Sequence, residues 1–162
     1  MELVVNSKVH GEHTVLFDDA DAGEISKYRW SIRKYSKSTY ALTWVLGGHL
    51  RLHTLLTGEK EVDHVNGNGL DNRRENLRPC THQQNTFNRR MSIRNTTGFK
   101  GVSYNKATGL YTAHIRKDGI LHHLGYFSIA SDAGYAYDLA AVVYFGEFSR
   151  TNLELGNYLV KE

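Results

Sequence analysis

The stretch that decides the fold reads VDHVNGNGLDNRRENLR over residues 62–78 and continues as THQQN over residues 81–85. Residues 62–65 predict a short strand that enters an Asn-Gly-Asn-Gly turn, whose residue types tolerate the positive φ of tight hairpins. Thr81 with Gln84 three positions later has the form of a capping box, which predicts a helix beginning at about His82 and running towards Arg90. The expected order is therefore strand, turn, strand, helix.

The residue types in this stretch suit hydrolysis of a phosphodiester. That reaction requires an activated water, a cation for the developing negative charge and a stabilised leaving oxygen. A neutral imidazole with a pKa of about 6.5 can accept a proton from water, so His64 is the predicted general base. Asp63, with Asn85 on the helix, can supply hard oxygen ligands to one divalent ion. Such ligands suit Mg²⁺ or Mn²⁺.

The order Asp-His, turn, Asn-Leu-Arg and Gln-Asn, with nine positions between Asn76 and Asn85, closely resembles the HNH nuclease motif in its homing-endonuclease form. The resemblance implies a ββα-metal (His-Me finger) module in a phage or mobile-element DNA endonuclease. It gives Asn76 a supporting catalytic role, in which its amide ties down the loop and so orients His64. Many family members have histidine where this chain has Asn85, which leaves the metal identity open.

Three arginines within the stretch, Arg73, Arg74 and Arg78, are predicted to contact phosphates near the scissile bond. The competing interpretation is that they are solvated or paired with Glu75 and Asp71.

Two further histidines have competing interpretations. His82 is a rival metal ligand on the first turn of the helix, although it lies off the expected register. His53 is either a second contact to the site or to phosphate, or a satisfied polar residue on a half-buried strand.

Charge is unevenly distributed along this chain of 162 residues, whose net charge is +3. Residues 73–106 contain eight Lys or Arg, including Arg89 and Arg90, against the single acid Glu75, a local +7 that leaves −4 elsewhere. Such a basic belt fits a polyanionic partner, but charge alone fits a basic linker equally well. Cys80 is the only cysteine, which excludes a disulfide framework and a thiolate zinc site and fits a cytoplasmic protein. No membrane-spanning segment is predicted.

The flanking regions predict one β-rich segment and one separate module. Strand-like runs lie at residues 3–5, 14–17, 39–46 and 49–56, with a short helix at 25–30. After the polar linker, residues 99–105, 110–117 and 121–127 predict three strands. Ser131 is then the expected cap of a helix that runs to about Phe145 and stops at Gly146.

This last module resembles the plant Apetala/ethylene-response-factor (ERF-like) DNA-binding domain. The resemblance rests on GFKGV at 98–102, LGYF at 124–127, AYDLAA at 136–141 and YFGEF at 144–148. It implies a three-stranded antiparallel sheet packed on one helix, with the strands entering the major groove. The residues that it places as base or phosphate contacts are Lys100, Ser103, Tyr104, Lys106, His114, Arg116 and His122.

Together these patterns predict an α+β protein. Its expected divisions are a β-rich segment at 1–57, the HNH motif at 58–92, a linker at 93–97, the ERF-like domain at 98–154 and a tail at 155–162. The expected partner is double-stranded DNA, which the protein nicks or cleaves as a monomer or homodimer. The alternatives are a non-catalytic DNA-binding regulatory protein that retains an HNH scaffold, and a nuclease that acts on RNA or on a particular nucleic-acid structure.

Overall fold

A computed structural model describes residues 1–35 and 38–159 and divides the chain into two compact units. Unit 1 is Met1–Asn85 and unit 2 is Thr86–Glu162. The architecture is mixed α/β, with several small sheets and few helices. Within the described ranges no helix has the length and apolar character needed to cross a membrane.

Unit 1 is built from three small antiparallel sheets and two short helices. Strand β1 (Glu2–Ser7) pairs with β2 (Gly11–Leu16), and the second sheet has the order β3 (Ser31–Lys34), β4 (Thr39–Val45), β5 (Gly48–Arg51). Strand β6 (Val62–His64) pairs with β7 (Leu77–Pro79). The helices are α1 (Ala22–Ile25) and α2 (Leu52–Thr57), and 3-10 turns lie at Asp19–Asp21 and Arg74–Asn76.

The core of unit 1 joins these sheets to α2. Its buried members are Val5, Val15, Phe17, Ile25, Ile32, Ala41, Leu52 and Leu56. Each of β1 to β4 contributes one member, and these are Val5, Val15, Ile32 and Ala41.

Two sequence predictions for unit 1 were wrong, and one strand was missed. Residues 49–56 are not one strand, because β5 ends at Arg51 and α2 follows, with Leu52 and Leu56 buried one helical turn apart. The helix predicted at 25–30 lies earlier, at residues 19–25. Strand β3 was not predicted, since only one of its four residues, Ile32, is buried.

Helix α3 (His82–Phe87) begins where the capping box predicts. The Thr81 N–H donates to Gln84 Oε1 at 2.7 Å, and the Gln84 N–H donates to Thr81 Oγ1 at 3.2 Å. The helix ends at Phe87, three residues before the predicted end, and the boundary between the two units falls within it.

Unit 2 is a three-stranded antiparallel sheet packed against one helix. The sheet has the order β10 (Ile120–Phe127), β9 (Leu110–Lys117), β8 (Val102–Asn105), and the helix is α4 (Ala130–Phe145), followed by a 3-10 turn at Gly146–Phe148. The three strands predicted from the sequence are confirmed, and so is the predicted end of the helix at Gly146. Ser131 is not the cap, because α4 begins at Ala130 after Ile129 and no side chain caps it.

The core of unit 2 lies between sheet and helix. Buried strand residues Val102, Ala113 and Ile115 pack against buried helix residues, which are Ala133, Tyr137, Ala141 and Phe145. Phe87 stacks on Phe145 with 3.8 Å between ring centroids.

Candidate active site

The β6–β7 hairpin carries two adjacent residues that could take part in catalysis, Asp63 and His64. Asp63 is opposite Arg78 in the register and His64 is opposite Leu77. Asp63 is 3% exposed and His64 is 5% exposed. Because neighbouring strand residues point to opposite faces, the two side chains leave β6 in different directions.

The loop between the two strands is organised by the side chain of Asn76. Its Nδ2 donates to the Asp71 carbonyl at 2.6 Å, and its Oδ1 accepts from the Asn66 N–H at 2.9 Å. The Val65 N–H also donates to the Asn76 carbonyl at 2.9 Å. A single buried amide therefore joins both ends of the loop that follows His64.

His64 lies in a buried, largely uncharged environment. The Asn72 Oδ1 is 3.4 Å from His64 Nε2, and the rings of His53 and Tyr40 lie 5.0 and 5.8 Å from the His64 ring, centroid to centroid. Burial lowers the pKa of His64, while Asn72, Asp63 and Asp71 oppose that shift. The imidazole is therefore neutral at pH 7 and can accept a proton.

Asn72 is a site residue that the sequence did not reveal. It is fully buried, its backbone N–H donates to the Leu16 carbonyl at 2.7 Å, and its Nδ2 has no hydrogen-bond partner among the described residues. No local sequence pattern indicates this role, because the contact that buries Asn72 is with β2, which lies 56 positions away in the chain.

Asp63 forms an ion pair with Arg78. The Arg78 Nε and Nη2 atoms lie 3.0 and 2.6 Å from Asp63 Oδ2, and the Arg78 side chain is only 15% exposed. Water screens the attraction between these two charges less than it does in a surface pair. The structure thus gives Arg78 a carboxylate partner, which is the competing interpretation from the sequence, with Asp63 in place of Glu75 or Asp71.

Asn85 and Asp63 both shift the pKa of the Cys80 thiol, which is half-buried. Burial raises the pKa of Cys80, Asp63 raises it further, and a hydrogen bond from the Asn85 backbone N–H lowers it. Asn85 itself is half-buried on α3, whereas His82 is exposed.

Asp63 and Asn85 are the metal ligands predicted from the sequence. A carboxylate and an amide oxygen are ligand types that Mg²⁺ takes in proteins, where it keeps several waters. Within residues 1–35 and 38–159, no group of three or more His, Cys, Asp or Glu is arranged to hold a metal.

The other two predicted phosphate contacts in this motif are also ion-paired. Arg73 donates to Asp71 through Nε at 2.8 Å and Nη2 at 2.7 Å, and approaches Glu75 at 3.3 Å. Arg74 pairs with Asp21 at 2.7 Å. By contrast, Arg89 and Arg90 are exposed just after α3.

His53 lies on α2 and not on the predicted strand. It is 3% exposed, and its ring lies edge-on to Tyr40 at 5.5 Å and to His64 at 5.0 Å. Burial, assisted by His64 and Arg51, lowers the pKa of His53 to about 3. It is therefore a neutral packing partner of His64 at physiological pH.

The predicted contacts in unit 2 fall on different faces of its sheet. Ser103 is opposite Thr112, His114 is opposite His123, and Arg116 is opposite Leu121, on the face away from α4. His122 lies on the other face, where its ring is 5.1 Å from that of Tyr144 in α4. Tyr104 shares that second face and packs on Tyr111 at 4.9 Å.

The two lysines that were predicted to contact DNA lie in different environments. Lys106 is exposed in the turn after β8. Lys100 directs its ammonium inward, where Nζ donates to the carbonyls of Phe87 and Arg150 at 2.9 and 3.0 Å. Burial lowers the pKa of Lys100 to about 8. Its position is that of a structural residue of unit 2, which argues against the predicted DNA contact.

Comparison with known proteins gives consistent matches. The family model described as HNH endonuclease matches residues 56–87. An uncharacterized HNH endonuclease of Acanthamoeba polyphaga mimivirus is 35% identical over 151 residues, which cover 88% of this chain and 76% of that protein. Protein 3.8 of Escherichia phage T7 is 31% identical over 62 residues, which cover 38% of this chain and 51% of that protein.

Proposed function

This chain belongs to the HNH endonuclease family, and from that premise we propose that it hydrolyses phosphodiester bonds in double-stranded DNA. The observation that carries the proposal is the pair Asp63 and His64 on β6, where a neutral imidazole lies beside an ion-paired carboxylate. This arrangement supports a general base and a cation ligand on opposite sides of one strand.

His64 is the proposed general base, which takes a proton from the attacking water. Asn76 is its positioning residue, because its amide joins the two ends of the loop that follows His64. This assignment is supported by the low polarity around the imidazole, since burial keeps it unprotonated at neutral pH.

Asp63 and Asn85 are the proposed ligands of one Mg²⁺ or Mn²⁺ ion. When bound, such an ion stabilises negative charge on the phosphate and the leaving oxygen. Arg78, which neutralises Asp63 without metal, is then close to the scissile phosphate and can meet it as a bidentate donor.

Unit 2 is the proposed ERF-like DNA-binding module. Its sheet face away from α4 carries Ser103, His114 and Arg116, whose side chains can donate to phosphates or bases. Lys106 and the exposed pair Arg89 and Arg90 add positive charge to unit 2. The proposed biological class is a homing-type enzyme of a phage or other mobile element, supported by the viral relatives.

The decisive experiment is cleavage of supercoiled plasmid by wild type and the His64→Ala variant in magnesium. We expect wild type to nick or linearise the plasmid, and the variant to lose at least 100-fold in rate while still binding DNA, as for loss of a general base. His10→Ala, in the turn between β1 and β2, is the matched control and should cleave normally. Wild-type cleavage by His64→Ala would overturn the assignment.

A second candidate function is non-catalytic DNA binding on a retained scaffold. The ion pair between Arg78 and Asp63 favours it, because it occupies a proposed metal ligand. Product formation that a chelator blocks would exclude this candidate. DNA binding without cleavage across a panel of divalent ions would favour it over the nuclease.

A further inference from the structure

The outer face of the β3–β4–β5 sheet has an unusual composition. The register places Ser31, Leu42 and Arg51 in one row, Arg33 opposite Tyr40, and Trp44 opposite His49. Residues directly opposite each other share a face. Ile32 and Ala41 point the other way, into the core of unit 1.

The exposed part of this outer face is basic and aromatic, whereas Leu42 on its central strand is buried. Among the described residues that the register places on it, none is acidic. Trp44 is 72% exposed, although tryptophan is rarely left so open to water. Neither arginine pairs with a described carboxylate; Arg51 lies over the Tyr40 ring at 5.3 Å and Arg33 over the Tyr35 ring at 6.0 Å. Both guanidinium groups therefore keep hydrogen-bond donors for a partner.

The face is continuous with the candidate active site. The Tyr40 ring, which carries Arg51 on the outer face, also lies 5.8 Å from the His64 ring. The HNH loop packs closely here, since a Cβ on Gly69 would lie 2.4 Å from the Thr39 carbonyl oxygen and 2.6 Å from the Tyr40 ring. This sheet therefore lies next to the candidate active site.

We propose that the outer face of β3–β5 binds the duplex DNA that flanks the scissile phosphate. Arg33 and Arg51 bind phosphates, and Trp44 with His49 packs against the sugar and groove edge. The inference rests on the proposed nuclease function and extends it by a substrate-binding surface in unit 1. Guanidinium groups free of carboxylates are suited to phosphate, and the absence of acid on the described face disfavours a basic protein partner.

The test is duplex binding by the full chain, measured by fluorescence anisotropy in chelator at several salt concentrations. The double variant Arg33→Gln/Arg51→Gln should bind at least tenfold more weakly. The slope of log affinity against log salt should fall in magnitude by about 1.8, which corresponds to two lost phosphate contacts.

The matched control is Lys8→Gln/Lys34→Gln, which removes the same charge from exposed positions off this face. Equal slopes for the two double variants would overturn the proposal, as would a wild type that binds no duplex or strongly prefers single strands. Failure of the nuclease function has a different signature, in which wild type binds duplex and Arg33→Gln/Arg51→Gln weakens that binding, yet neither protein cleaves.

Discussion

His53 makes the stability of unit 1 depend on pH. Its pKa is about 3 in the fold, because burial and the nearby His64 and Arg51 disfavour the cation, whereas an unfolded histidine titrates near 6.5. Below about pH 6.5 the unfolded state binds more protons, so the free energy of unfolding falls as pH falls, by up to about 1.4 kcal/mol per pH unit. Urea unfolding at pH 7, 6 and 5 should give a shallower dependence for His53→Gln. Equal dependences would contradict this prediction.

Asn72 is expected to act on the reaction through His64. Its Oδ1 faces His64 Nε2 at 3.4 Å, which favours the tautomer with the proton on Nε2 and the basic lone pair on Nδ1. Asn72→Leu keeps the volume and removes the unpartnered Nδ2, so the fold should survive while turnover falls roughly tenfold or more. DNA affinity should not change.

The companion variant Asn72→Asp separates positioning from packing. A carboxylate retains the acceptor and stabilises the imidazolium, which raises the pKa of His64. The acidic limb of the pH–rate profile should therefore move to higher pH, with turnover recovered above it. An unshifted profile together with full activity in Asn72→Leu would exclude the positioning role.

At the scale of the elements, the β6–β7 hairpin is held by the cross-strand pair Asp63 and Arg78. Arg78→Gln removes the positive charge that pairs with a nearly buried carboxylate, and this loss should destabilise the protein by about 3 kcal/mol. If Asp63 binds Mg²⁺, the ion replaces the lost positive charge. The gain in melting temperature on adding magnesium should therefore be larger in Arg78→Gln than in wild type.

Arg74→Gln is the matched control for this prediction, because it removes an arginine from Asp21 instead of Asp63. Its response to magnesium should equal that of wild type. Equal responses in Arg78→Gln and Arg74→Gln would argue against Asp63 as a metal ligand.

The elements that local sequence encodes could be predicted, and those that depend on distant contacts could not. The capping box of α3 and strand β9 rest on patterns within a few residues, and both were predicted with the correct start. Helix α2 was mistaken for a strand, since only the core of unit 1 selects the spacing of Leu52 and Leu56.

The same distinction applies to the site. His64 and Asn76 could be proposed because their motif is contiguous in sequence. The burial of Asn72 against the Leu16 carbonyl and the pairing of Arg74 with Asp21 join residues more than 50 positions apart. Charge counts along a sequence cannot reveal such pairs, which match three arginines of the basic belt with aspartates.

For the whole molecule, these ion pairs neutralise part of the positive charge that would otherwise be available to DNA. Arg73, Arg74 and Arg78 are each matched by an aspartate, whereas Arg89 and Arg90 are exposed after α3. Arg89→Gln/Arg90→Gln should therefore reduce the salt slope of DNA binding by about 1.8, without changing the melting temperature.

Arg73→Gln should give the opposite pattern. Hydrogen bonds from Arg73 lower the pKa of Asp71, whose side chain also accepts from Asn66 in the HNH loop. Losing Arg73 should lower the melting temperature at pH 7, and the loss should diminish as the pH falls and Asp71 becomes protonated in both folded and unfolded chains. Calorimetry and salt-dependent anisotropy on both variants distinguish the two roles. A large salt-slope change in Arg73→Gln with unchanged stability would mean that this arginine leaves Asp71 to bind phosphate.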